Sequence, residues 1–306
     1  MKKDCSSKTI NTPKNIMPGN KFNKQSLSTG QIILIVILTL VAILMMVPFI
    51  WSIIASFTSA NDLEGNGFKF FYGAFTFKNW ASLFKNNWTL YIFNTLFIAF
   101  AEIFLQLLFC SMAAYAFAKY DFYGKKILYK IMLLSMMLPG IITLIPQFIV
   151  TTSLPFFKKD IFGNEIGPGL YNSLFGVILP NAVSIYGILF LRQFFTNLSD
   201  EIGDAARIDG ASGFRVFLIY FKMALPGIMT LGLFTFVSTW SSYLWPSLIL
   251  FDESKFTLGQ ALQEFQTSAS TGEMMAGSLL SLLPIIILFI FTQKYFLKQT
   301  TYTGIK

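Results

Sequence analysis

Apolar residues fall in six long blocks, at about 31–57, 90–118, 127–150, 170–195, 223–251 and 275–295, separated by polar stretches. A run of about 20 apolar residues with few charges is long enough to cross a bilayer as a helix, so the pattern predicts six spans. The first block carries no charge; Pro48 predicts a kink in it and Trp51 a side chain at the membrane boundary. In the second block Glu102 and Gln106 stand one turn apart, where an ionisable group is costly unless paired or wetted. Glu102 is either a group lining a pathway or a structural hydrogen bonder to a neighbouring span. Ser111, Ala113, Ala114 and Ala116 make the later half of that block a close-packing face. Pro139-Gly140 and Pro146 interrupt the third block, as where backbone lines a cavity or flexes, although kinks of this kind also occur in spans with no transport role. The stretches 58–88, 151–169 and 252–274 read as polar loops, the first holding a short surface helix at 75–84.

Composition agrees. The 306 residues are 54% hydrophobic and only 12% charged, against about 25% charged in soluble domains, which makes this a polytopic membrane protein. The net charge of +8 is a matter of topology, with no implication of nucleic acid. With the N-terminus inside, 17 of the 23 Lys and Arg fall on inner segments, and the positive-inside rule then puts both termini and the 197–227 stretch in the cytosol. The expected organisation is a disordered tail at 1–28, a six-span domain at 29–298 and a short tail at 299–306. Cys5 and Cys110 cannot form a disulfide framework, histidine is absent, and no Gly-x4-Gly-Lys-Ser/Thr loop occurs. Without a metal-ligand cluster or a Ser/Lys dyad, an intramembrane enzyme has no machinery to work with.

The 197–227 stretch, NLSDEIGDAARIDGASGFRVFLIYFKMALPG, interrupts the apolar pattern with a helix-turn-helix. Ser199 is a candidate N-cap, and Asp200, Glu201 and Asp204 suit the positive end of the dipole. Ala205 and Ala206 offer a small face for a partner, and Gly210 allows a left-handed turn. A second helix starts near Ser212 with Phe214, Phe217, Leu218 and Phe221 as its apolar stripe. Physics alone allows an ordinary interfacial loop. The residues, however, resemble the EAA loop of ABC-importer permeases, with pattern Glu-Ala-Ala, three residues, Gly, then Ile-x-Leu-Pro: Asp204, Ala205, Ala206 and Gly210 fill the motif positions. Asp204 replaces Glu, and Leu225-Pro226 arrives three residues late.

Beyond residue 28 the chain is similar to the smaller maltose-type permease of the carbohydrate-uptake branch. The matching blocks are Asn94-Thr95 with Ala113 to Lys119, Met137 to Gly140, Gly187 to Phe195, Trp240 to Pro246, and the ending at Gln293 to Phe296 and Gly304 to Lys306. In the Trp240 block serines stand where the family has Asn and Asp. The resemblance implies an all-α, six-helix type I importer permease in a bacterial cytoplasmic membrane. It implies a second permease, a cytosolic ATPase dimer that binds the ATP, and an external sugar-binding protein, with no cofactor in this chain. It makes Glu201, Asp204, Ala205, Ala206, Asp209 and Gly210 the contact with the ATPase, and turns Gln260, Gln263, Glu264 and Gln266 toward the binding protein. Glu102, Asn181, Ser184, Tyr186, Trp240, Tyr243 and Trp245 are the side-chain types that suit a sugar pathway, aromatic faces for C–H faces and polar groups for hydroxyls; Trp and Tyr near span ends equally serve as interface anchors. A phosphate-ester cargo would call for cations facing the pathway, which the spans almost lack. An ion-driven transporter would need inverted repeats and a coupling carboxylate, for which Glu102 is the one candidate.

Overall fold

The computed structural model describes residues 28–65, 75–85, 87–153 and 169–302. The expectations for the N-terminal tail to residue 27, for parts of the first two outer loops and for Gly304 to Lys306 lie outside these. The chain divides into two units, 1–49 and 50–306. The described part of the first is most of α1 (Thr29–Ser56), apolar on all sides with exposed Ile32, Leu38 and Leu44, as suits a helix surrounded by lipid.

The second unit holds the rest, and among its described residues no strand forms. After α1 come α2 (Ala60–Gly65) and α3 (Lys78–Lys85), the latter where a surface helix was expected. Buried Asn79 ties α3 to the end of α1, donating to the carbonyls of Ser56 and Thr58 at 3.0 and 2.8 Å. The central element is α4 (Trp88–Lys119), which packs against most of its successors. α5 (Lys125–Met136) and α6 (Gly140–Ser153) take the place of the third apolar block. They meet at 107°, so Pro139-Gly140 breaks the run outright where a kink was expected.

Next come α7 (Leu174–Ile178), a 3-10 turn (Leu179–Asn181) and α8 (Ile185–Thr196), bent by 42°. The helix-turn-helix is α9 (Glu201–Ile208) and α10 (Gly213–Met223), and α11 (Leu225–Trp240) leaves α10 at 75°. α12 (Leu244–Ile249) and a 3-10 turn (Glu253–Lys255) follow. The stretch expected to be a polar connector contains α13 (Leu258–Ser268), whose Thr257 and Gln260 form a capping box. α14 (Thr271–Tyr302) continues past the expected end of the last span. Among the described residues three helices (α1, α4, α14) are long and apolar enough to cross a membrane, and counting each bent pair as one span gives six.

The core is built on α4. Its Cys110, Ala114 and Tyr115 pack with Leu191 and Phe195 of α8, Phe217 and Tyr220 of α10, and Ile228 and Leu231 of α11. The fit depends on small residues: a Cβ on Gly187 would stand 3.2 Å from Leu231 and 3.3 Å from Cys110 Sγ.

Candidate functional site

Two regions gather the residues that carry chemistry. The first is the α9 loop. Its helix starts at Glu201 with Asp200 in the capping position, one residue later than Ser199 predicts, and Asp200 makes no side-chain cap bond. The orphan N–H groups of the first turn find other acceptors. Ser199 Oγ accepts from Glu201 at 3.3 Å, and the Tyr220 hydroxyl, from α10, accepts from Gly203 at 3.0 Å while donating to the Ser199 carbonyl at 2.8 Å. Gly203 has to be glycine for this approach, since a Cβ would lie 2.9 Å from Tyr220 Oη. Lys119, the last residue of α4, donates to the Leu198 carbonyl and to Asp200 Oδ1 at 2.6 Å, with its ammonium 5.0 Å from the centre of the Tyr220 ring.

Glu201, Asp204, Ala205, Asp209 and Gly210 are exposed on the outer side of the loop, together with Arg207 and Ile208. Ala206 is half-buried against the core, because neighbouring helical residues point about 100° apart. The two alanines therefore do not share one outward face. Arg207 pairs with Asp204 at 3.2 Å, and the Tyr120 hydroxyl raises its guanidinium above the ordinary value, so it stays cationic. Gly210 has φ +80°, the left-handed turn its position predicts. α10 buries Val216, Phe217 and Tyr220 and leaves Phe214 and Leu218 exposed. The expected stripe is thus rotated by one residue, because the aromatic cluster around Tyr115 sets the buried face. Tyr220 was read as neither core nor cap; a Tyr seventeen residues beyond a Gly gives no local signal of their contact.

The second region is a cavity of about 580 Å³ between α4, the 176–187 segment and α11. Glu102, Asn181, Ser184, Tyr186 and Trp245 line it, beside Gln106, Thr235 and Thr239. On its wall Asn181 Nδ2 donates to Glu102 Oε1 at 3.2 Å and Thr239 donates to Glu102 Oε2. Gln106 donates to the Asn181 carbonyl at 2.8 Å and accepts from Thr235 at 2.9 Å. Glu102 therefore bonds to neighbouring elements, and it also faces the cavity. Thr235 and Thr239 had a usable signal, an i, i+4 polar pair on an apolar block that mirrors Glu102 and Gln106.

Two expected pathway residues are elsewhere. Trp240 is buried toward α14, its indole donating to the Ser281 carbonyl at 2.9 Å and its ring stacked on Phe236. Tyr243, at the break before α12, is 41% exposed and does not line the cavity. Of the residues assigned to a docking loop, Gln263, Glu264 and Gln266 are exposed on α13. Gln260 is turned inward, its Nε2 donating to the Leu250 carbonyl at 3.2 Å, because its side chain is needed to close the capping box. Among the described residues no group of three or more His, Cys, Asp or Glu could hold a metal ion.

Comparison with known proteins extends these observations. The chain is 31% identical over 274 residues to an arabinooligosaccharide transport system permease of Halalkalibacterium halodurans, covering 87% of this chain and 93% of that protein. It is 26% identical to a diacetylchitobiose uptake system permease of Streptomyces coelicolor, over 84% and 83% of the two chains. Its fold matches, at a TM-score of 0.73 and 24% identity over 88% and 99% of the chains, a chain from the crystal structure of a bacterial ABC transporter that imports the acidic polysaccharide alginate. Residues 106–301 match the model of the binding-protein-dependent transport system inner membrane component, a membrane-embedded transport component and not an enzyme. This chain belongs to that family of ABC-importer permeases.

Proposed function

We propose that the chain is a permease subunit of an ATP-driven importer of sugars or oligosaccharides. The observation that carries this is α9, a short helix held at its base by Lys119 and Tyr220 with an exposed outer side of Glu201, Asp204, Ala205, Ile208 and Asp209. The outer side of this helix is left uncovered by the described residues and suits the groove of a cytosolic ATPase. A second permease completes the membrane pathway, and an external binding protein delivers the cargo to the side that carries α13. Both termini are cytosolic, and 29–298 forms the membrane domain. Glu102, Asn181, Ser184, Tyr186 and Trp245 form this subunit's share of the pathway wall. ATP binding closes the ATPase dimer, moves α9 and biases the spans between inward- and outward-open states through their different contacts in the two.

The carbohydrate assignment rests on the relatives and on the cavity's chemistry, an aromatic face and hydroxyl and amide groups beside the Glu102 carboxyl, with no cation in its lining. The test is co-purification of the tagged chain, wild type against a variant with 200–210 scrambled. The wild type should bring down an ATPase and a second permease, the variant should lose the ATPase, and oligosaccharide with its binding protein should stimulate hydrolysis. A wild-type chain that purifies alone and moves solute without ATP would refute the proposal.

A further inference from the structure

Lys119 differs from an ordinary membrane-boundary lysine. Such a residue extends its ammonium into water; the Lys119 side chain is 5% exposed, although Asp200, to which it is bonded, is 81% exposed. Its nitrogen joins three things: the Leu198 carbonyl that leads into α9, the Asp200 carboxylate at the start of α9, and the face of Tyr220. One turn earlier on the same helix, Tyr115 contacts the rings of Tyr120, Phe195, Phe217 and Tyr220 at centroid distances of 5.4–5.8 Å. The entrance of α9 is thereby tied directly to the end of α4 and, through Tyr220, to a cluster seated on α4.

We propose that Lys119 is a positioning residue that passes displacement of α9 into α4. This rests on reading α9 as the contact with the ATPase. α4 is unbroken from Lys119 to Glu102, a distance of roughly 25 Å at 1.5 Å per residue, so a shift at its cytosolic end reaches the Glu102–Asn181–Thr239 wall as a rigid-body movement. A lysine that served only the negative end of the α4 dipole would favour the helix and no more. The two roles differ in what they do to coupling.

The test is sugar transported per ATP hydrolysed by the complete importer in proteoliposomes, for wild type, Lys119→Met and Lys119→Arg. In Lys119→Met the ATPase should remain bound and hydrolyse ATP while the ratio falls about tenfold, the size of a common coupling free energy. Lys119→Arg should restore most of it, because a guanidinium can still donate to both oxygens. Asp200→Lys, at an exposed position that leaves folding alone, should also lower the ratio by setting two cations against each other. A ratio unchanged in Lys119→Met and Asp200→Lys would overturn the assignment, and so would hydrolysis and transport falling in parallel. Absence of the ATPase from the purified wild-type complex would instead refute the reading of α9 on which the assignment stands.

Discussion

Replacing Tyr220 with Phe removes one oxygen and leaves the ring among its aromatic neighbours. That oxygen stands between Gly203 and Ser199, accepting from the first at 3.0 Å and donating to the second at 2.8 Å. The two residues are four apart, so the hydroxyl replaces the direct backbone bond that would have extended α9 by another residue. Gly203 is buried, and a buried backbone donor left without an acceptor costs about 1–3 kcal/mol. An eight-residue helix cannot absorb this, since isolated helices under about 12–15 residues are marginal in water. The cost should therefore fall on local opening of α9, with the global fold unaffected. Amide hydrogen exchange read by mass spectrometry should show about five- to 150-fold faster exchange over 201–209, the range that corresponds to 1–3 kcal/mol. Peptides from the middle of α4 and from α11 should be unchanged. Equal exchange over 201–209 in the two proteins would show that Tyr220 does not hold α9, and the argument would fail.

Other perturbations separate backbone, network and packing effects. Gly210→Val places a β-branched residue at φ +80° with nothing within 4 Å of its Cβ, so the cost is backbone strain of about 1–2 kcal/mol. It should insert normally and lose sugar-stimulated hydrolysis, whereas Gly210→Asn should keep most of it; equal activity of the two variants would discount the turn. Glu102→Gln should fold normally, because Thr239 can reverse its hydroxyl and accept from the new amide, whereas Glu102→Leu leaves Asn181 and Thr239 without their partner at about 1–3 kcal/mol. Thermal midpoints in detergent should follow the order wild type, Gln, Leu, and a Leu variant as stable as wild type would refute the network. Gly176→Ala sets a Cβ 2.3 Å from the Leu170 carbonyl oxygen and 2.8 Å from Ile249, an overpacking of about 1–3 kcal/mol. It should lower the midpoint measurably, and an unchanged value would mean that the 170–176 turn is free to move.

The blocks at 31–57, 90–118 and 275–295 were legible because bilayer length is written directly in composition. The breaks were harder. Pro139 marks a change of direction, but an angle of 107° depends on what the two halves pack against, and that is tertiary information. α13 was missed because its polar surface resembles a loop until Thr257 and Gln260 are read as a capping box. In the cavity, residue type identified Glu102 and Asn181 but could not separate Trp245 from Trp240. Both sit beside one chain break, and only the helix end at Trp240 decides which ring turns toward α14. The least legible feature was the base of α9, where Lys119, Ser199, Gly203 and Tyr220 meet across about a hundred residues of sequence with no shared periodicity.

Around Glu102 and Gln106 the cavity wall has its donors and acceptors matched to one another. Glu102 is occupied on both oxygens, Gln106 on both ends of its amide, and the Ser184 hydroxyl accepts the Gly187 N–H that starts α8. In the pathway proposed above, a hydroxyl-rich solute would have to trade hydrogen bonds with these paired groups, and would meet the Tyr186, Ser238 and Ser242 hydroxyls on the same wall. At the paired groups of that proposed pathway, each bond gained to a solute would replace one already made, so they would add little net adhesion. Weak holding of this kind would suit the proposed pathway, because a solute held tightly halfway across would have to be freed by further work before it could leave.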